Sequence, residues 1–297
     1  MKTRFSKDVG EALRQKKPVV ALESTVIAHG LPFPQNLETA LRMEDAVRTE
    51  GAVPATIAVL KGEICIGLDE TEIRHLATAE KIHKVSKRDL PIAVAEKLDC
   101  ATTVAATSFL AYAAGIRVFA TGGIGGVHRG YDRDISADLP ILAQTPIAVV
   151  CSGAKIVLDL PATREWLETF GIPVLGWQCD EMPAFYSRKS GLPVDWRIEE
   201  ASAAVAVIAA RDELALSSSV LITTPVPEQF EIERERLDQM LSEALQLADE
   251  RHIAGKEITP FLLSQMSIAS NGETVAANIA LLINNAGIAA KIARSLA

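Results

Sequence analysis

Short apolar runs rich in Val and Ile alternate along the chain with longer stretches of helical periodicity, the pattern of buried strands joined by amphipathic helices. Buried strands are predicted at Val19–Leu22, Thr56–Leu60, Val118–Thr121, Ile147–Cys151, Val174–Gly176 and Val220–Thr224. Helices are predicted at Leu37–Glu50, Thr71–Lys81, Val104–Ala114, Ala162–Thr169, Glu199–Leu214, Glu231–His252 and Thr274–Ala297. Gly51 and Gly115 follow two of them, where glycine supplies the left-handed cap. Ala55–Leu60 and Ile64–Leu68, joined through Lys61-Gly62-Glu63, read as a hairpin, because the glycine sits where a tight turn needs positive φ. The alternation implies an α/β fold with a mostly parallel sheet covered by helices, and the hairpin makes that sheet mixed.

With 297 residues the chain is long enough to build a core without disulfide or metal staples. It has no internal repeat, low-complexity tract or Ser/Gly-rich linker, so residues 1–297 read as a single domain. Asp180–Arg197, with two prolines and three aromatics, is too irregular for framework and reads as a loop over a site or at a subunit contact. Lys and Arg number 30 against 38 Asp and Glu, a net charge of −8 with no basic block, which argues against nucleic acid as a partner. Cys65, Cys100, Cys151 and Cys179 are widely spaced with no CxxC pair, which fits a reducing cytoplasm. Met1–Lys17 lacks the apolar stretch of a signal peptide, and apolar windows such as Ala201–Ala210 fall short of the roughly 20 residues that span a bilayer, so no membrane role is expected.

In open α/β sheets ligands bind at the carboxyl ends of the strands, so polar residues just after buried runs are the first candidates for chemistry. Glu23 ends the run Ala21-Leu22, and poor hydration there would raise its pKa and suit it to general acid work. The alternative for such a residue is a cap or a buried acceptor. Thr121–Gly130 is a glycine-rich turn whose amides, with His128 and Arg129, could cradle a phosphate. It matches neither dinucleotide nor nucleotide-triphosphate motifs. Asp134, Ser136 and Asp138, within Asp132–Asp138, offer hard oxygen ligands for Mg²⁺ or Mn²⁺, or form a solvated turn with caps. Lys155 follows the strand ending at Cys151 and is expected in the first turn of a helix. There the macrodipole and burial would both favour the neutral amine that Schiff-base formation requires. A lysine that reaches out to solvent is the alternative, and Cys151 reads as a small buried hydrophobe.

Six runs then resemble one family: ALESTVIAHGLP (Ala21–Pro32), KVSKRDLP (Lys84–Pro91), TTVAAT (Thr102–Thr107), FATGGIGGVHRG (Phe119–Gly130), DISADL (Asp134–Leu139) and CSGAKIVLDLPAT (Cys151–Thr163). They resemble the pseudouridine-5'-phosphate glycosidases, a family that includes the indigoidine synthase A proteins, over nearly the whole chain. The resemblance implies a three-layer α/β/α sandwich that assembles as a homotrimer. It also implies reversible conversion of pseudouridine 5'-phosphate and water to ribose 5-phosphate and uracil. In that family the ribose ring opens, a lysine forms a covalent imine at the anomeric carbon, and the carbon–carbon bond breaks in the manner of a retro-aldol step. Carried over, Lys155 is the nucleophile, Glu23 the proton donor to base or ring oxygen, and Asp134 the holder of one Mn²⁺ per subunit. Ser136, Ala137, Asp138, Lys84 and the Val104 backbone would bind substrate, and Asn278 would recognise uracil, since an amide pairs with both an acceptor and a donor of an imide edge. Thr121 and His128 would face the sugar phosphate or the water shell of the metal. The rival readings are another Schiff-base lyase of phosphorylated sugars, a sugar or nucleoside kinase, and a catalytically idle partner in pigment biosynthesis.

Overall fold

The Val- and Ile-rich runs form the middle of the sheet because a parallel strand is covered on both faces and leaves no position to water. The computed structural model describes residues 3–129, 134–253 and 258–297. Its strands are β1 (Thr3–Phe5), β2 (Val19–Leu22), β3 (Val53–Leu60), β4 (Glu63–Ile66), β5 (His83–Val85), β6 (Cys100–Thr102), β7 (Val118–Ala120), β8 (Val127–His128), β9 (Ala148–Cys151), β10 (Leu158–Asp159), β11 (Val174–Trp177), β12 (Trp196–Ile198) and β13 (Val220–Thr223). Among the described residues one sheet of eleven strands runs β1-β4-β3-β2-β7-β9-β13-β11-β12, with β6 on β3 and β5 on β6. Its pairs are parallel except β3 with β4 and β3 with β6. Antiparallel β8 and β10 make a separate ribbon.

The hairpin forms where the sequence placed it, with Leu60 opposite Glu63. Both turn residues have positive φ, Lys61 at 50° and Gly62 at 75°, so a lysine shares the position that was credited to glycine alone. The predicted helices are present with ends moved by a few residues: Gln35–Thr49, Glu70–Thr78, Val104–Ala113, Leu160–Thr169, Ala201–Glu213, Arg234–Glu250 and Glu273–Leu296. Helix Glu273–Leu296 packs along β2, β7 and β9 and against helices Gln35–Thr49 and Ala201–Glu213, while Val104–Ala113 packs on β2, β3 and β7 from the other side. No segment long enough for a bilayer is expected from the sequence, yet Glu273–Leu296 is long and apolar enough to cross one by length and composition. Just over half of its apolar stretch is buried inside the molecule, with Leu281, Leu282, Ala286, Ala289, Ala290 and Ala293 in the core, so that apolarity serves the packing on the sheet.

Candidate active site

Beyond Leu22 the chain enters a π-helical turn, Val26–Gly30, with the Ile27 and Ala28 amides both on the Ser24 carbonyl (3.0 and 3.2 Å). Turns of this kind are frequent at functional sites. Ser24 Oγ donates to the Ile57 carbonyl (2.6 Å) and Thr25 Oγ1 to that of Thr102 (2.7 Å), which pins the chain just after Glu23 to β3 and β6. Glu23 is 7% exposed, and Thr121, fully buried just past β7, donates its hydroxyl to Glu23 Oε1. Burial pushes the Glu23 carboxyl above the ordinary range and nearby Asp138 adds to this. Lys155, the Thr121 hydrogen bond and Lys84 pull it down without cancelling the rise.

The glycine-rich turn after β7 differs from an open phosphate cradle. The Ile124 amide donates to Gly153 O (3.0 Å), that of Gly125 to Asp138 Oδ2 (2.8 Å) and that of Val127 to Thr163 Oγ1 (3.0 Å). Of the described glycines of this turn, Gly122 and Gly123 line the cleft described below, and Gly125 and Gly126 do not. Close packing explains the others: a Cβ on Gly125 would stand 2.1 Å from Ser136 Oγ, and one on Gly126 2.3 Å from Thr163 Oγ1. Asp138 is buried, and its Oδ1 accepts from the Ala105 amide (2.9 Å) as Oδ2 does from that of Gly125. Its carboxylate thus fastens the glycine turn to helix Val104–Ala113. Asp138→Asn replaces one accepting oxygen with a donor that faces an amide, and an unmade buried hydrogen bond costs about 1–3 kcal/mol. Urea unfolding should show a loss of that size, and a variant as stable as the parent would contradict this role.

Lys155 stands in the turn after β9, where its amide donates to Ile124 O (3.2 Å) and its carbonyl accepts from the Leu158 amide (3.0 Å). The expectation of a helix start at this lysine is corrected: the next helix opens at Leu160, after β10, so no macrodipole acts on the amine. Gly153 makes the turn possible, with φ at 79° and a Cβ position 2.1 Å from Pro183 O.

Over the carboxyl ends of β2, β7 and β9 lies a narrow cleft of about 520 Å³, the open solvent at its mouth included. It brings together Glu23, Lys84, Lys155 and Asn278 against walls of Val26, Phe185, Pro260, Leu263 and Leu282. Asn278 is 8% exposed, and its side chain has no hydrogen-bond partner among the described residues. Thr121 reaches the cleft through Glu23. Val104, His128, Asp134, Ser136, Ala137 and Asp138 are not part of its wall. His128 sits in the β8–β10 ribbon with its amide on Asp134 O (2.9 Å), and Ser136 donates its amide to Gly126 O (3.0 Å). Among the described residues no three His, Cys, Asp or Glu gather as a metal cage. Asp134 is one half-buried carboxylate, and Asp132 lies outside the described residues. One carboxylate suits an ion of the Mg²⁺ or Mn²⁺ type, which keeps several waters and takes substrate oxygens.

Several cleft residues escaped the sequence reading. Phe185 belongs to the irregular Asp180–Arg197 segment, which folds inward: its amide donates to Ser152 O (3.0 Å) and its ring closes on Gly123. Its φ of 63° is uncommon for a bulky residue, and such outliers cluster at functional sites. Thr259, Pro260 and Leu263 come from helix Ile258–Ala269, which is not among the helices the sequence predicts.

The family described as indigoidine synthase A like protein matches residues 8–295. The chain belongs to that family. It is 52% identical to a pseudouridine-5'-phosphate glycosidase of Caldanaerobacter subterraneus subsp. tengcongensis over 294 residues, 98% of this chain and 96% of that protein. With the protein of the same name from Geobacillus kaustophilus it shares 51% identity over 98% of each. The crystal structure of an indigoidine synthase A-like protein from Thermotoga maritima superposes with a TM-score of 0.91 at 39% identity, covering 99% of this chain and 96% of that one. That of the prealnumycin C-glycosynthase AlnA, in complex with ribulose 5-phosphate, gives 0.92 at 38% identity over 100% and 97%.

Proposed function

We propose that this protein cleaves, and in reverse forms, the carbon–carbon glycosidic bond of pseudouridine 5'-phosphate, with ribose 5-phosphate and uracil on the other side. One observation carries the reading: a carboxyl pushed above its ordinary range and a lysine amine share one cleft at the carboxyl ends of parallel strands. The kinship with glycosidases named for this substrate, and with a C-glycosynthase that holds a pentulose phosphate, supports it. The base is attached through carbon and leaves poorly, so two carboxylates of the ordinary glycosidase kind do not suffice. Lys155 Nζ bonds to the anomeric carbon as the bond from that carbon to the ring oxygen opens, and Glu23 delivers a proton to the ring oxygen or to the base. The carbon–carbon bond then breaks with its electron pair going to the base carbon, which takes up a second proton; the two hydrogens that Nζ gives up in passing from amine to imine balance the two protonations. An imine of Lys155 with the open-chain sugar remains, and water hydrolyses it to ribose 5-phosphate and free amine.

In this reading Asn278 offers its unpartnered amide to the imide edge of uracil, and Phe185 walls the flat base. Lys84 and the amides of Gly122 and Gly123 face the sugar phosphate, with Ser136, Ala137, Val104 and His128 closing the neighbouring subsite. One Mn²⁺ per subunit would be held by Asp134, and when bound it supplies positive charge to phosphate and sugar oxygens. A homotrimer in the cytoplasm belongs to the same proposal. Chelation followed by addition of Mn²⁺ tests the metal: uracil release from pseudouridine 5'-phosphate, read by chromatography, should disappear with chelator and return with Mn²⁺. Release that persists in chelator would remove the metal from the account. No uracil under either condition from folded protein would overturn the function.

A further inference from the structure

Past the last residue of a parallel strand the sheet no longer offers hydrogen-bond partners, yet buried carbonyls and hydroxyls there still require them. In this fold one side chain answers for three adjacent strands. Asn285, fully buried on helix Glu273–Leu296, donates from Nδ2 to the carbonyls of Thr121 (2.9 Å) and Gly122 (3.4 Å), just past β7. The same nitrogen lies 3.1 Å from Ser152 Oγ, just past β9, and Oδ1 accepts from Thr224 Oγ1, just past β13. These are the points from which the reacting groups hang. Thr121 hydrogen-bonds Glu23, and Ser152 opens the turn that carries Lys155 and accepts the Phe185 amide on its carbonyl.

We infer that Asn285 is a positioning residue: by tying the ends of β7, β9 and β13 together it holds the acid and the amine at working distance without touching substrate. The inference rests on the proposed roles of Glu23 and Lys155. An amide suits the task because it donates two hydrogens and accepts at its oxygen in one plane, which no apolar or purely accepting side chain of that size does. Misplacement by about 1 Å costs on the order of 10²-fold in rate. The groups that face Glu23 are Lys155, Asp138, Lys84 and the Thr121 hydroxyl, and of these residues only Thr121 is bonded to Asn285, through its backbone carbonyl.

Asn285→Leu, with the same number and branching of side-chain heavy atoms, separates the hydrogen bonds from the packing. Its kcat for uracil release should fall by a factor on the order of 10 to 10² with little change in KM. The alkaline limb of its kcat profile should move to higher pH, because the Thr121 bond that favours ionised Glu23 is loosened. Thr121→Val should move the limb the same way, and the double variant no further, since the two act through one contact. If Asn285→Leu does not fold, Asn285→Ala and then Thr224→Val, which removes a single partner of the same amide, carry the same test. Variants that lose thermal stability but keep the parental kcat and limb per folded molecule would overturn the inference. A parent protein that releases no uracil would overturn the proposed function instead.

Discussion

Lys155→Ala should fold like the parent and lose turnover by a factor on the order of 10⁴ to 10⁶, the scale on which removal of a covalent nucleophile is felt. The fold uses the backbone of this residue, through Ile124 O and the Leu158 amide, and alanine keeps both bonds. The side chain is only half-buried at the cleft wall, so truncation leaves no sealed cavity in the core. Lys155→Arg sharpens the test, since it retains positive charge for phosphate but cannot form the imine. Both variants should be inactive with ordinary thermal transitions. Turnover in Lys155→Arg near that of the parent would reduce the lysine to an electrostatic role.

Glu23→Ala should slow base release by about 10²- to 10⁴-fold, the usual contribution of a positioned general acid. A donor must hold its proton. Burial pushes the Glu23 carboxyl up, so parental activity should survive past the ordinary carboxylate range and fall as pH rises through the raised value. The same shift has a stability consequence of definite sign. Because the folded-state value lies above that of the unfolded chain, the unfolded state loses its proton first as pH rises. The stability contributed by Glu23 is therefore present at low pH and is lost across the interval between the two values. Glu23→Gln removes this liability, so its melting temperature should gain on that of the parent as pH increases through that interval, while activity is lost. A difference independent of pH would contradict the burial argument, and a variant that loses only substrate affinity would contradict the acid role.

How far the sequence could be read follows from the range of the forces involved. Buried strands such as Val19–Leu22 and Val220–Thr223 announce themselves because every residue is apolar, and long helices do so by their periodicity. β1, β5 and β6, three residues each, are too short to carry a period, and their places depend on pairing with distant strands. Glu23 and Lys155 were legible because each polar residue interrupts or follows an apolar run at a strand end. The helix expected at Lys155 was not, since the β8–β10 ribbon that displaces it depends on a partner far along the chain. Asn285 gives no local signal at all, being one amide in a long helix. Its role exists only once that helix lies over three strand ends. In the glycine turn, Gly123, Gly125 and Gly126 have a further reason to be glycine that no local pattern announces, since Phe185, Ser136 and Thr163 pack against them.

The account turns on a covalent bond between Lys155 and the sugar, and that bond can be captured. Intact protein incubated with ribose 5-phosphate and cyanoborohydride should gain the mass of one pentose phosphate, less water and plus two hydrogens. Peptide mapping should place the adduct on Lys155, and Lys155→Arg should gain nothing. An adduct on another lysine, or none from protein that releases uracil, would contradict the imine at Lys155.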